Sequence, residues 1–546
     1  MSEVQRILSL PIKDTKIPDL TSFFRKANGT MNLRPIQSEI LYTASQAQGL
    51  LGLVGVGEGK TLASFLLPQV LCPNGRSLLI IPANMRAQCL KDWEGYSENF
   101  KLPANMELRS YEEISTSPNL LRAIAPDAII CDEVHKLKNK KSTRTKRLAR
   151  YISQRYRDGN PVKFVGLSGT ITSTSLRDFA HLAAWALRER SPTPLSYALI
   201  ERWANVIDRD AKPSQADRST MQALVQKFGG DERTAFKKRL ISANGVVTSI
   251  KGRPPCNLAM EERLIKSIPN PILEALDHVN KTWQTPDGEE LNSPLEKTRI
   301  FRQLICGFYY FWSWPKGQVD KEWMSARSNW NKQTRNYLKT AKEGYDSPSL
   351  VKNACVRHIT GKQKENLPRE LLDAYLEWLP HSHKDMPPVG ARWISNYLIE
   401  DIVNWAMNQR EAPIIWYEHI AFAARLGRYT NWPIFAQGTK SDKALLSVTS
   451  PIPAIVSARA HATGKNLQVW GNQIIANPLS DGARFEQLLG RCHRNGQQRP
   501  VVTATVYNHR IFAAALAQAR LSAKYIEECT EQEQRLNYAS WTRVKV

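Results

Sequence analysis

Apolar and polar positions follow a regular pattern along the chain from residue 31 onward. Short continuous apolar runs, such as Leu50 to Val54, are bounded by turn residues and alternate with longer amphipathic stretches. Runs of this kind are typical of strands buried on both faces of a parallel sheet, and the amphipathic stretches are typical of the helices that cover it. The pattern therefore predicts an α/β protein with parallel sheets.

The pattern stops near residue 185 and resumes near 390, with a helix through Trp405 and a strand over Pro413 to Tyr417. The interval contains seven of the 15 tryptophans, with basic residues among them. Such rings either stack on bases or form the core of a helical insertion, and we favour the core. The predicted parts are an N-terminal arm (1–30), a first α/β lobe (31–185), a mainly helical insertion (186–389), a second α/β lobe (390–510) and a C-terminal helix (511–546).

The net charge of the chain indicates which class of molecule it binds. Its 75 Lys and Arg against 51 Asp and Glu give a formal net charge of +24, which favours a polyanionic partner. The densest run, Lys136 to Arg150, has eight basic residues and no acidic one, whereas a solvated helix face usually alternates signs. We therefore expect nucleic-acid contacts from Lys136, Lys138, Lys140, Lys141 and Arg144. With no long apolar run and no signal-peptide pattern, we expect an intracellular protein without a membrane partner.

A glycine-rich loop follows the first apolar run, from Gly55 to Gly59, and leads into Lys60 and Thr61. Glycines let the backbone curl so that its N–H groups point at a phosphate, and the N-terminus of the next helix adds positive potential. Lys60 would neutralise the β- and γ-phosphates of a nucleotide, and the Thr61 hydroxyl would hold magnesium. The loop residues expected to contact the nucleotide are Gly55, Gly57, Glu58 and Gly59.

A second apolar run ends in two adjacent carboxylates, Asp132 and Glu133. The carboxyl ends of parallel strands form the edge where ligands bind in open α/β folds. Asp132 is therefore expected to hold the magnesium, and Glu133 to orient and deprotonate the attacking water. A third apolar run, Lys163 to Leu167, ends in the small hydroxyl residues Ser168 and Thr170.

Far along the chain, Gln487, Arg491 and Arg494 lie within eight residues. We expect them on the opening of one helix, where arginines three residues apart share a face. Two guanidinium groups placed in this way can clamp a phosphoryl group from the far side of a cleft.

These segments resemble motifs I, II, III and VI of superfamily-two helicases and, more narrowly, of the SWI/SNF-type double-stranded-DNA translocases. The narrower resemblance rests on Asp132 to Asn139, Ser110 to Glu112 and Leu33 to Gln37, and Ser457 to Leu467 resembles motif V. The resemblance implies two RecA-like lobes with ATP and magnesium between them. It assigns Gln37 to adenine, Gly464 to the nucleotide, Arg491 and Arg494 to arginine fingers, and Ser168, Thr170 and Asn466 to nucleic acid. His461 and Ala462 stand where the family has two glycines.

The expected function is that of an ATP-dependent motor that tracks along duplex DNA with little sequence specificity. Two alternatives stay open: a strand-separating helicase on branched DNA or RNA, and a nucleotide-gated nucleic-acid-binding subunit of a larger complex. The 186–389 insertion is the expected site for a protein partner. We expect a monomeric motor in the cytoplasm, at a bacterial nucleoid or in a phage-infected cell, with a nuclear location left open.

Overall fold

The computed structural model describes residues 2–14, 16–172, 174–249, 253–265, 267–291, 293–314, 318–340, 345, 347–361 and 366–544. The chain divides into two compact units. The first unit comprises residues 1–139, 151–269 and 397–546, and the second comprises 140–150 and 270–396. Both large sheets lie in the first unit.

The strands of the described residues are numbered in chain order. They are β1 (Leu50–Leu53), β2 (Ser77–Ile81), β3 (Met106–Ser110), β4 (Ala128–Asp132), β5 (Lys163–Ser168), β6 (Val246–Thr248), β7 (Asn257–Leu264), β8 (Phe308–Trp312), β9 (Val389–Trp393), β10 (Ile414–Tyr417), β11 (Ile434–Phe435), β12 (Ala454–Ser457), β13 (Asn472–Ile475), β14 (Val501–Asn508) and β15 (Ser540–Val544).

The first sheet has six parallel strands in the order β3-β2-β4-β5-β1-β6. Every residue of β1, β2 and β4 is buried, as continuous apolar runs require of strands covered on both faces. In the register, Leu53 of β1 lies opposite Ser168 of β5, and Asp132 of β4 lies opposite Leu167. The carboxyl ends of these three strands therefore meet at one edge of the sheet.

The second sheet has seven parallel strands in the order β11-β12-β10-β13-β14-β7-β15. Helices flank both sheets, so the protein is mixed α/β, consistent with two RecA-like lobes, and the predicted fold class is confirmed. We call the six-stranded sheet with its helices the first lobe and the seven-stranded sheet with its helices the second lobe.

The α-helices of the described residues are also numbered in chain order. None of them is both long and apolar enough to cross a bilayer. They are α1 (Glu3–Ser9), α2 (Thr21–Phe24), α3 (Pro35–Ala47), α4 (Lys60–Leu71), α5 (Arg86–Ser97), α6 (Tyr111–Thr116), α7 (Leu120–Ile124), α8 (Thr143–Arg157), α9 (Ala180–Leu187), α10 (Tyr197–Ile207), α11 (Gln215–Ser219), α12 (Gln222–Phe228), α13 (Glu232–Ser242), α14 (Asn270–Thr282), α15 (Pro294–Ile305), α16 (Lys321–Thr340), α17 (Pro348–Ile359), α18 (Arg369–Trp378), α19 (Tyr397–Met407), α20 (Ile420–Thr430), α21 (Thr439–Leu446), α22 (Ala458–His461), α23 (Gly482–Leu489), α24 (Arg510–Thr530) and α25 (Arg535–Tyr538).

Each lobe has its own apolar core. In the first lobe, Phe65 of α4 packs with the buried residues of β1, β4 and β5. In the second lobe, Trp416 of β10 and Trp470 are each only 1% exposed and pack with apolar residues of β12 to β14 and α23. These cores fix the ends of the strands, where the functional side chains lie.

The second unit contains α14 to α18 and the antiparallel pair β8–β9. Trp323 is 1% exposed, and its ring meets those of Trp312, Trp314 and Trp378 edge-on, with centroids 5.8 to 6.3 Å apart. Four tryptophans of this unit therefore pack against one another, as the core interpretation predicted, whereas Trp283 is 41% exposed.

The domain boundaries expected from the sequence need correction. The expected insertion, 186–389, instead contributes β6 to the first sheet and β7 to the second. The second compact unit begins only at residue 270 and ends at 396, so in sequence it interrupts the second lobe after β7. The expected C-terminal helix of 511–546 also ends in a strand, β15, which pairs with β7.

The basic run Lys136 to Arg150 does not form one uniform surface. Residues up to 139 belong to the first unit and residues 140–150 to the second. Within the second unit, Lys146 Nζ donates to Leu338 O at 3.1 Å, and Arg147 is only 5% exposed. Part of the run therefore serves packing, and the phosphate contacts predicted for its other residues stay predictions.

Candidate active site

The phosphate loop, Gly55 to Gly59, connects β1 to α4. Gly57 and Gly59 have φ angles of +94° and +78°, in the region that disfavours side chains. A Cβ on Gly59 would lie 2.3 Å from Gln37 Nε2, so glycine is also required by the close approach of that side chain. Lys60 Nζ donates to Val54 O and Gly55 O, both at 2.9 Å, which places the ammonium group over the loop.

Two residues from outside the loop hold it at its ends. Gly55 N–H donates to Ser249 Oγ at 2.7 Å, immediately after β6. Gln37 Nε2 donates to Gly59 O at 2.9 Å, and the Gln37 side chain is buried. Glu58 lies in the loop, where burial raises the pKa of its carboxyl group against the opposing charges of Arg34 and Lys60. The structure therefore brings Gln37 to the loop, as expected, without testing its assignment to adenine.

The two carboxylates lie where β4 ends. Asp132 and Glu133 are 3% and 4% exposed, and Glu133 has a φ of +57°, a strained value for a residue with a side chain. His135 Nδ1 lies 3.2 Å from Glu133 Oε2 and 3.0 Å from Ser168 Oγ. His135 thus connects the catalytic candidate Glu133 with the end of β5.

Burial and charge act differently on the two carboxyl groups. Burial and the adjacent Glu133 charge raise the pKa of Asp132, although Lys60 opposes them. Burial would also raise the pKa of Glu133, but the hydrogen bond and charge of His135, together with Lys60 and Arg491, lower it overall. Glu133 is therefore held as an anion at neutral pH, and positive groups of both lobes contribute to this.

Gln487, on α23 of the second lobe, contacts the carboxylate of Glu133 in the first lobe. Its Nε2 donates to Glu133 Oε2 at 3.2 Å, and both side chains are buried. Arg491 Nε donates to Gln487 O at 2.8 Å, and the Nη1 atoms of Arg491 and Arg494 donate to Lys465 O at 3.0 and 3.1 Å. Gln487 and Arg491 thus lie beside Glu133, and Arg494 shares the Lys465 carbonyl group with Arg491.

The expected helical placement of the two arginines was wrong. Helix α23 ends at Leu489 and is capped by Gly490, so Arg491 and Arg494 lie in the following loop. Leu467 N–H donates to Arg491 O at 3.0 Å, which holds this loop against the 457–467 segment. We call residues 490–497 the arginine loop.

The arginine loop concentrates positive charge in a buried place. Burial, then the neighbouring Arg494, lowers the pKa of Arg491 to about 9. Burial, then Arg535, lowers the pKa of Arg494 to about 10, and the buried Arg494 Nε has no hydrogen-bond partner among the described residues. Neither arginine forms a salt bridge among the described residues, and buried cations are stabilised by an anion, so the loop suits a phosphate group.

The lobes also meet through Asn84, which precedes α5. Its Nδ2 donates to Ala460 O at 2.6 Å and to Thr463 Oγ1 at 3.1 Å. Gly464 follows with a φ of +71°, and a Cβ there would lie 2.2 Å from Met85 Cγ. Gly464, expected to contact the nucleotide, therefore packs against the first lobe, whereas the side chain of Asn466 is exposed.

The assignment of Ser168 and Thr170 to nucleic-acid contact needs correction. Both residues are buried, at 0% and 1% exposure. Ser168 Oγ lies 3.1 Å from Thr170 O and 3.5 Å from Glu133 Oε2. Because a buried hydroxyl cannot reach a DNA strand, the two residues belong to the internal network around Glu133.

The assignment of Thr61 and Asp132 to magnesium stays a prediction. Thr61 lies in the first turn of α4, and Asp132 is a buried carboxylate whose Oδ1 accepts from Glu133 N–H at 2.9 Å. A hydroxyl and a carboxylate form an all-oxygen donor set, which is the chemistry that Mg²⁺ prefers. The donor chemistry at this edge of the sheet therefore fits a magnesium ion.

Sequence reasoning missed several residues that shape the site. His135 carried a signal, because it lies within the Asp132 to Asn139 segment. Ser249, Glu486 and Arg535 carried none, since their partners lie in distant parts of the chain. A comparison of the chain with protein-family models finds no match, and a comparison with curated proteins finds none either.

Proposed function

We propose that the protein is an ATP-dependent motor that hydrolyses ATP between its two lobes and moves along duplex DNA. The observation that carries the proposal is the hydrogen bond of 3.2 Å from Gln487 in the second lobe to Glu133 in the first. Glu133 is a candidate catalytic carboxylate influenced by the charge of Lys60, and Gln487 in turn accepts a hydrogen bond from the buried Arg491. Assembly of one site from two lobes is what lets nucleotide hydrolysis change their contact.

In this proposal, Lys60 and the loop N–H groups bind the β- and γ-phosphates, and Thr61 and Asp132 hold magnesium. The magnesium would supply charge neutralisation on the phosphate oxygens. Glu133 accepts a hydrogen bond from the attacking water and orients it toward the γ-phosphorus. The lowered pKa of Glu133 suits this role, because a loose phosphoryl-transfer transition state requires little proton abstraction. Arg491 and Arg494 stabilise the charge on the transferred group.

The choice of DNA rests on charge and on the resemblance to SWI/SNF-type translocases. A net charge of +24 favours contacts to phosphates, which carry little sequence information. Affinity should therefore fall steeply with salt while depending little on sequence.

The test measures ATP hydrolysis without nucleic acid and then with single-stranded DNA, duplex DNA and RNA. We expect duplex DNA to stimulate hydrolysis most. The test variant is Glu133→Gln, which keeps the shape of the side chain but removes the charge that orients the water, and it should lower kcat by about 100-fold or more while ATP still binds. DNA-stimulated phosphate release that persists in Glu133→Gln would contradict the catalytic assignment.

Strand-displacement and triplex-displacement assays separate the motor from its alternatives. Triplex displacement without strand displacement supports translocation on a duplex. Displacement of a strand from branched DNA or RNA would favour a helicase, and ATP binding without hydrolysis would favour a nucleotide-gated subunit.

A protein partner at the middle segment is also a proposal. Because the second compact unit spans 140–150 and 270–396, the deletion that tests it should remove residues 270–396 rather than the whole of 186–389. Co-purification with and without this segment is the measurement.

A further inference from the structure

Arg535 is a buried charge outside the segments that resemble known motifs. It begins the short helix α25, after the long helix α24, and is only 4% exposed. Its hydrogen-bond partners are Glu486 and His493, which lie on either side of Gly490, where α23 gives way to the arginine loop.

The contact with Glu486 fixes the end of α23. Arg535 N–H donates to Glu486 Oε2 at 2.7 Å, and the Arg535 guanidinium forms a second, very short contact with Oε1. Glu486 immediately precedes Gln487, whose Nε2 reaches Glu133 at 3.2 Å. Because adjacent helical residues rotate together, holding Glu486 also holds the side chain that contacts Glu133.

The contact with His493 fixes the arginine loop itself. Arg535 Nε donates to His493 Nδ1 at 3.2 Å, and Arg535 Nη2 donates to His493 O at 2.9 Å. Since Nδ1 accepts, the proton of the neutral ring lies on Nε2, which donates to Cys256 O at 2.9 Å. His493 is thus held on two sides, between Arg491 and Arg494.

The three buried arginines Arg491, Arg494 and Arg535 differ in the charge of their hydrogen-bond partners. Arg535 is neutralised by Glu486, and both side chains are buried. Arg491 and Arg494 donate instead to backbone carbonyl oxygens, which carry no net charge. Arg535 therefore has a salt-bridge partner, whereas Arg491 and Arg494 form no salt bridge among the described residues and have only the more distant charges of Glu133 and Asp92 opposite them.

We propose that Arg535 is a positioning residue for ATP hydrolysis, which holds the arginine loop and Gln487 in their catalytic places. The proposal rests on the proposed ATPase function. It makes the C-terminal segment around Arg535 part of the hydrolytic apparatus through its contacts with Glu486 and His493.

The test compares Arg535→Gln, Arg535→Lys and the control Arg543→Gln. Arg543 also lies in the C-terminal segment and pairs with a glutamate, Glu262, but its side chain is 76% exposed. We expect Arg535→Gln to lower the DNA-stimulated kcat by about 10- to 100-fold with the KM for ATP changed less than about threefold, because small displacements of catalytic groups cost rate rather than binding. Arg535→Lys keeps the charge opposite Glu486 and should recover part of the rate.

Circular dichroism and thermal unfolding establish that each variant is folded. If Arg535→Gln does not fold, Glu486→Gln and His493→Gln carry the same test, since each removes one half of the Arg535 contact. A folded variant with an unchanged kcat, or a loss confined to KM, overturns the positioning role. A wild-type protein with no nucleic-acid-stimulated hydrolysis would instead overturn the proposed function.

Discussion

Lys465 offers a sharp test of how the second lobe is held together. Its side chain is fully buried, and Nζ lies 2.8 Å from Asp442 Oδ1. Nζ also donates to Asn84 O of the first lobe at 3.2 Å. Lys465→Met removes the charge while nearly keeping the length of the side chain, and it leaves Asp442 as a buried carboxylate.

The magnitude follows from the distance and the burial. At 2.8 Å and an effective dielectric constant of about 20, Coulomb's law gives an attraction of about 6 kcal/mol. Removing the buried ammonium group also removes its desolvation cost, which offsets part of this lost attraction. We therefore expect Lys465→Met to lower the free energy of unfolding by about 3–5 kcal/mol. Neutralising both partners, as in Lys465→Met with Asp442→Asn, should recover at least half of that loss, because no unpaired charge remains.

Urea unfolding followed by tryptophan fluorescence measures the effect. Trp416 and Trp470 are buried in the core of the same lobe and report on it directly. A loss below about 1 kcal/mol in Lys465→Met would refute the reasoning, and so would a double variant as unstable as the single one. In either case solvent would be screening the ion pair in spite of its burial.

Two further predictions concern the contact between the lobes and the arginine loop. Gly464→Ala should lower the DNA-stimulated kcat by about 5- to 30-fold, because a left-handed φ costs a residue with a side chain roughly 1–2 kcal/mol and the new Cβ would clash with Met85. The matched control is Gly159→Ala: Gly159 also has a positive φ, +75°, but a Cβ there would meet nothing within 4 Å, so this variant carries the backbone strain alone. Burial, then Arg535, lowers the pKa of His493 to about 4 from 6.5. Its contribution to stability is therefore complete above pH 6.5 and is lost as the pH falls toward 4, by about 2 kcal/mol between pH 7 and 5. Urea midpoints at both pH values should show this loss in the wild type and a smaller one in His493→Gln; equal losses would refute it.

The parts of the fold that the sequence predicted are those with local signals. The runs that became β1 and β4 are apolar throughout because both of their faces are buried. The phosphate loop and the Asp132–Glu133 pair were predicted because they lie directly at the ends of these strands. Here the chemistry and the strand signal share one short stretch of chain.

The parts that were missed depend on distant pairing. β6 has only three residues, and β7 alternates buried with partly buried or exposed positions over most of its length, so neither gives a continuous apolar run. The Arg535–Glu486 contact joins residues 49 positions apart, with nothing in either segment to indicate the other. Arg491 and Arg494 were expected on a helix because their spacing fits one, but Gly490 ends the helix before them.

The position of β7 has a consequence for how the protein is made. β7 lies between β14 and β15 in the second sheet, yet it contacts β14 across separations such as the 244 residues between Glu261 and Thr505. During synthesis, β7 leaves the ribosome long before either of its neighbours, so the seven-stranded sheet can close only when β15 has appeared. A fragment that starts near residue 390 would lack β7 and leave the edge of β14 unpaired, which favours aggregation. Expression of the second lobe alone therefore requires the chain from about residue 253, and release of a nascent chain before β15 would leave it without a complete second sheet.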